Sequence, residues 1–273
     1  MEAPAADVRL SQPSAWAQAR ASLAGVSSAR DVAISLAIGL AAWELAGRAL
    51  HLSFLPPFTV VLLALRDLLA RGELLRPLAA SLLGLAIGYG LAATGGTLLG
   101  LLMGRYRRVD ALLDAYVTGL LAAPKLIFVP ILYALFGVGR GTQVAIVFIN
   151  AFFIITVNTR GGMRQVDVGQ VEMARSFGAT ERQLLRLVLL PGALPLTMAG
   201  LRLGLVEAVK GMVTGEMFIA LSGLGAMLHK YGSRFDSARV LAILLVVIAV
   251  ALLGSFMVGL VERRMTRWME SEL

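Results

Sequence analysis

Lys125, Glu207, Lys210 and Glu216 are among the charged residues that stand in stretches otherwise apolar enough to lie in a membrane. An ionised side chain is costly there, so each is a functional candidate by default. Glu207 and Lys210 are three residues apart, which puts them on one helical face where they can pair. Two readings of that pair stay open. It is an internal salt bridge facing a helix bundle, or it lines a translocation path or the gate between two subunits. Lys125 follows Pro124, a residue that bends or opens a helix and frees a carbonyl; the lysine can then snorkel, pair or meet an anion. Arg202 lies near enough to the end of its segment to snorkel. Asn150, Asn158 and Thr214 are of the type that hydrogen-bonds across helices.

Other chemistries find little support. The chain has no cysteine and two histidines, His51 and His229, far apart in sequence, so thiol chemistry is excluded and a structural metal site is not expected. No Ser-His-Asp, Cys-His or paired-carboxylate arrangement can be assembled from the scattered acids. Gly137-Val-Gly139-Arg-Gly141-Thr142 resembles a phosphate loop only superficially. It lacks a preceding strand and the Gly-Lys-Ser/Thr ending, and reads as a tight turn between two spans. Without a nucleotide loop the chain is not expected to be an enzyme, and its energy must come from a partner.

A longer polar stretch, Asp167 to Pro191, reads as two short helices with a break between them. Asp167 with Gln170, and Thr180 with Gln183, have capping-box spacing. Gly178 stands where the first helix needs a left-handed C-cap, and Pro191 is expected to close the second. Val168, Val171 and Ala174 share one face; Leu184, Leu185, Val188 and Leu189 share another. Glu172 is expected in the first turn of the first helix. Helices this short are marginal alone in water and need something to dock against.

Within this stretch Glu172, Ala174, Gly178, Val188 and Leu190-Pro191 are spaced like the EAA loop (EAA, three residues, G, nine residues, I-x-LP) of ABC importer permeases. Met173 stands for the middle-position alanine and Val188 for isoleucine. Ala123-Pro124-Lys125 with Phe136-Gly137-Val138-Gly139, and Gly200-Leu-Arg202-Leu with Gly215-Glu216-Met217 and Ser222-Gly-Leu-Gly225, resemble the alkanesulfonate, taurine and nitrate branch. The resemblance covers about residues 55 to 262. It implies an all-α membrane fold: a polytopic six-helix bundle of the type I importer kind with a cytoplasmic coupling loop. It further implies a pathway of two permease subunits, the second either identical to this chain or a different one, two ATPase subunits beneath it, and an extracytoplasmic solute-binding protein. ATP and Mg are bound by the ATPase, and this chain binds no cofactor. Glu172, Ala174, Gly178 and Pro191 would belong to the ATPase-coupling loop. Lys125, Glu207, Lys210 and Glu216 would belong to the pathway or gate for a small organic or inorganic anion. The location implied is the bacterial inner membrane.

The elements that must position these groups follow from composition. Of 273 residues, 58% are hydrophobic and 15% charged, with a mean hydropathy of +0.80, whereas soluble domains are about 25% charged. The net charge of +8 would suggest nucleic acid in a soluble chain, but here basic residues cluster beside apolar segments, which is a topology signal. Spans are expected at about 32–50, 78–103, 111–136, 143–160, 193–220 and 239–261. The organisation expected is a cytoplasmic tail over 1–30, without a signal peptide, then a first span and an external amphipathic segment over 31–77. A permease core over 78–262 and a cytoplasmic tail over 263–273 follow. With the N-terminus inside, fourteen basic residues fall on cytoplasmic pieces and eight outside, favouring both termini inside. Glycines four apart, as at 84/88, 96/100/104, 200/204 and 211/215, allow close helix approach. The rival is an ATP-independent secondary transporter or channel using Glu207 and Lys210. It predicts inverted repeats, of which no convincing pair is seen, and leaves the EAA-like stretch without a role.

Overall fold

The computed structural model describes residues 29–50, 52–219 and 222–265. Nearly all of the expected N-terminal tail, most of the C-terminal one and His51 lie outside them. The described chain is helices joined by turns, in two compact units, Met1–Thr59 and Val60–Leu273.

In the first unit, α1 (Ala29–Ala49) is apolar and almost wholly exposed, with Gly47 its one buried residue. Trp43, Glu44 and Arg48 tie the helix to the link that follows. Trp43 Nε1 donates to the Pro56 carbonyl at 3.1 Å, and its ring lies 5.2 Å from that of Phe58. The Glu44 carboxylate accepts from the Thr59 N–H at 2.9 Å, the Thr59 hydroxyl at 3.0 Å and Arg48 at 2.6 Å. Gly47 meets the Pro57 backbone so closely that a β-carbon there would lie 2.7 Å from it.

The second unit takes in most of α2 (Phe58–Ala70), then α3 (Leu75–Arg105), α4 (Arg107–Ala122), α5 (Phe128–Phe136) and α6 (Arg140–Arg164). After these come α7 (Val168–Ser176), α8 (Glu181–Leu184), α9 (Leu190–Ile219), α10 (Leu224–Gly232) and α11 (Ser237–Met265). Helix α6 is the centre, packed along its length between α3 and α9. In a membrane no aqueous driving force holds helices together, so close backbone approach and van der Waals contact must do so. The glycine repeats supply that approach on both sides. A β-carbon on Gly88 of α3 would come within 2.7 Å of Val147, and one on Gly204 of α9 within 2.5 Å of Ile155. Val147, Ala151 and Ile155 between them are fully buried. Helix α11 covers α9 and α10, while Leu252, Leu253, Phe256 and Met257 remain exposed, as suits lipid or another subunit.

Among the described residues five helices, counting α8 and α9 as one run, are long and apolar enough to cross a membrane. The span expected over 111–136 is not one of them. Helices α4 and α5 are long and apolar enough only when taken together, and they meet at a 91° bend. The cause is local: a residue before proline is pushed out of the helical region, and Ala123 is extended at φ −64°, ψ 140°. Pro124 supplies no N–H to continue the ladder, and a 3₁₀ turn over Lys125–Ile127 restarts the chain.

Candidate coupling loop and charged cavity

The stretch after α6 folds as two short helices. Asp167 caps α7, its carboxylate accepting from the Gly169 N–H at 2.7 Å. The capping box expected with Gln170 is absent, because this short carboxylate turns onto the second amide of the helix rather than the third. Helix α7 ends in a Schellman motif. Gly178 has φ +78° and donates to the Arg175 carbonyl at 2.9 Å, and the Ala179 N–H reaches back to Ala174 at 3.1 Å. Thr180 and Gln183 form the expected box on α8: Thr180 Oγ1 accepts from the Gln183 N–H at 3.3 Å, and Gln183 Oε1 from the Thr180 N–H at 2.9 Å.

Two expectations fail here. Glu172 is the fifth residue of α7, beyond the first turn, so it stands on an exposed face and not at the helix N-terminal amides. Pro191 does not close the second segment. The chain passes from α8 through a π-helical turn, Leu185–Leu189, straight into α9, which contains both Pro191 and Pro195. Proline interrupts a helix because its ring strikes a carbonyl four residues back. The wider π turn relieves that clash before Pro191, so the helix bends on rather than stopping.

The loop is anchored at one end and open at the other. Leu184 is fully buried, and Glu181 pairs with Arg105 at the end of α3 and with Arg175 at 3.3 Å. Helix α7 buries none of its residues. Val171 and Ala174 are half-buried, while Val168, Met173 and Phe177 are exposed, Phe177 by 86%. An exposed phenylalanine beside a capped helix of nine residues is an uncovered apolar face.

A cavity of about 330 Å³ opens at the α4–α5 break. Lys125, Glu207 and Lys210 all line it, with Asn150 and Thr214 and the apolar side chains of Leu121, Leu126 and Val129. Lys210 Nζ lies 2.5 Å from Glu207 Oε1. Lys125 is half-buried and has no carboxylate partner among the described residues. Asn150 and Asn158, expected to bond across helices, donate instead to carbonyls four residues back in α6, each at 2.8 Å. A side-chain amide in a helix reaches that carbonyl without help from a neighbour.

Glu216 is elsewhere. It is 1% exposed and surrounded by donors: Ser81 of α3 at 2.8 Å, Gln143 of α6 at 2.5 Å and the Gly225 N–H of α10 at 2.8 Å. Ser81 in turn accepts from the Leu224 N–H at 2.8 Å. Gly223, the N-cap residue of α10, carries no side chain; Glu216 and Ser81 satisfy the first amides of the helix in its place. Gly223 has φ +94°, and a β-carbon there would run into the Glu216 carboxylate. A side chain with its oxygens engaged in this way holds three helices to α10 and has no face toward the cavity.

Sequence reasoning also missed a cluster between α4 and α6. Arg160 Nε and Asp110 Oδ1 face each other at 2.5 Å as an ion pair without hydrogen-bond alignment. Arg160 also pairs with Asp114, and Arg164 with Asp110. Arg160 and Arg164 read as topology signals in the sequence, and nothing local ties them to acids about fifty residues earlier. Arg202, expected to snorkel, pairs with Glu262 of α11.

With this geometry in view, comparison with known proteins is specific. Residues 96–267 match the family described as binding-protein-dependent transport system inner membrane component. SsuC of Bacillus subtilis (strain 168), named as a permease for aliphatic sulfonates transport, is 30% identical over 86% of this chain and 86% of its own. The taurine transport system permease protein TauC of Escherichia coli (strain K12) is 30% identical over 70% of each chain. Among solved structures, a chain of the MetNI methionine ABC transporter in inward-facing conformations superposes with a TM-score of 0.61 at 20% identity, over 68% of this chain and 93% of that one. That likeness supports the type I permease fold, with helices enough for a multi-pass membrane protein. The chain belongs to the family of binding-protein-dependent transport system inner membrane components.

Proposed function

We propose that this chain is the membrane-spanning subunit that carries a small sulfonate, an alkanesulfonate or taurine, through an ATP-driven importer. Two copies form the pathway, two ATPase subunits bind ATP and Mg beneath them, and a solute-binding protein delivers the substrate outside. Both termini face the cytoplasm, as the distribution of basic residues favours. The observation that carries the reading is the capped helix pair α7–α8, apolar on an uncovered face and tied through Glu181 to the end of α3. Helix α7 seats in a groove of the ATPase, with Glu172 offered to a basic partner and Ala174 and Gly178 shaping the turn. Because α8 runs through the π turn and Pro191 into α9 without a break, a push on the loop is delivered to a helix that lines the cavity. Closure of the ATPases then rocks the spans between outward- and inward-facing states. Lys125, Glu207 and Lys210 lie on the pathway, and Glu216 holds the scaffold around it.

The test is co-purification of the ATPase and substrate-stimulated ATP hydrolysis in reconstituted membranes. The parent chain retains the ATPase, and Glu172→Lys weakens coupling while leaving membrane insertion intact. A Glu172→Lys complex with undiminished coupling would remove the loop from the mechanism.

A further inference from the structure

We propose that the cavity at the α4–α5 break binds a small organic monoanion, its charged head on Lys125 and its apolar body against Leu121, Leu126 and Val129. The inference rests on the permease reading above. Three ionisable side chains line the cavity, and two of them cancel: Lys210 and Glu207 are in contact at 2.5 Å. Lys125 is left as the one uncancelled charge of that lining. It is half-buried, lines the cavity and has no carboxylate partner among the described residues, so an incoming anion meets a charge that nothing there neutralises.

Its position is fixed by the fold. Lys125 opens the 3₁₀ turn immediately after Pro124, where the extended backbone of Ala123 sets the 91° bend. The lysine is therefore presented by a rigid corner and not by a frayed helix end. The remaining polar lining suits orientation rather than charge. Asn150 has committed one amide N–H to the Ile146 carbonyl and keeps a second to offer, and Thr214 offers a hydroxyl. A volume of about 330 Å³ lies at the small end of ligand pockets. A single uncancelled cation favours a monoanion. The ammonium of a zwitterion would meet only Glu207, which Lys210 already occupies, so an amino-sulfonate binds more weakly here than a plain alkanesulfonate. Glu216, fully engaged by Ser81, Gln143 and Gly225, takes no part.

The chain has no cysteine, so Leu121→Cys places one reporter per permease chain on the cavity wall, read on the permease band of the reconstituted permease–ATPase complex. An anionic methanethiosulfonate should label it about tenfold faster than a cationic one, the size expected for one nearby partly screened charge. Ethanesulfonate should slow labelling at concentrations where taurine slows it less. Adding Lys125→Gln should abolish both the charge preference and the protection, and adding Lys125→Arg should keep them. Equal labelling by the two reagents overturns the proposal, as does protection that survives Lys125→Gln. A cysteine that reacts with neither reagent overturns it too, since no open cavity would then exist. Protection by phosphatidylglycerol vesicles but not by ethanesulfonate would make a lipid headgroup the occupant and overturn it equally. Failure of the permease reading is separate: the ATPase would not co-purify with the cysteine-bearing parent at all.

Discussion

Helices α8 and α10 both begin with satisfied amides, by opposite means. Thr180 and Gln183 cap α8 from three residues apart, inside the segment they stabilise. Helix α10 is capped by Glu216, nine residues before Gly225, and by Ser81, 143 residues before Leu224, because Gly223 has no side chain to offer. The difference separates two jobs. A self-capped helix keeps its shape while the surface around it changes partners, which suits a coupling element. A remotely capped helix cannot move without breaking bonds to α3 and α9 together, which suits a scaffold. Exposure divides the loop itself: α7 buries no residue, whereas Leu184 at the end of α8 is fully buried.

The comparison breaks most visibly at Glu216. Glu216→Ala leaves the Gly225 N–H, the Ser81 hydroxyl and the Gln143 amide without their acceptor in a buried place. Each stranded group costs on the order of 1–3 kcal/mol. The variant should therefore lose thermal stability in detergent by several times more than any loop variant, and Glu216→Gln should fall between it and the parent. A Glu216→Ala protein that melts with the parent would show that the buried knot does not hold the scaffold.

Gly178→Val tests the opposite region. At φ +78° a β-branched residue costs on the order of 1–2 kcal/mol locally, and the space around it is otherwise open. The bundle should melt at the parent temperature while ATPase retention and substrate-stimulated hydrolysis fall. A shifted melting temperature with coupling retained would reverse the roles assigned to the two regions.

The smallest effect is expected at Asp67, on α2. The hydrogen bond from Arg71, assisted by Arg239 at 3.5 Å, holds its carboxyl below the usual carboxylate range. A carboxyl whose pKa is depressed on folding contributes stability above its unfolded pKa and loses it as pH falls through the folded one. The group is solvent-exposed and screened by salt, so the acid-side loss of melting temperature should be slight. Asp67→Asn should flatten it. An unchanged acid slope in Asp67→Asn would assign that slope to other carboxylates.

How much was legible depends on how far each interaction reaches along the chain. The Thr180–Gln183 box, the left-handed Gly178, the four-residue glycine repeats and the Glu207–Lys210 contact all involve residues a few positions apart, and local rules reach that far. Asp167 was legible as a cap, though not which amide it would take. Pro191 misled because a proline's effect depends on the turn before it. The π turn at Leu185–Leu189 has no separate composition to announce it. Pro124 was recognisable as a breaker, but a single apolar run over 111–136 concealed that the break would be a right-angled corner.

Taken alone, the order of residues determined the apolar spans, the capped loop between two of them, and the resemblance that names the family. These depend on hydropathy, helical period and short spacings, all of which act within a few turns of chain. Only the tertiary structure decided that Glu216 leaves the cavity for Ser81, Gln143 and Gly225, that Asp110 holds Arg160, and that Lys125 lines one cavity with an already neutralised Glu207. A buried charge takes whichever partners packing brings within hydrogen-bond reach, and the close approach of α3 and α9 to α6 brings together residues from distant parts of the chain.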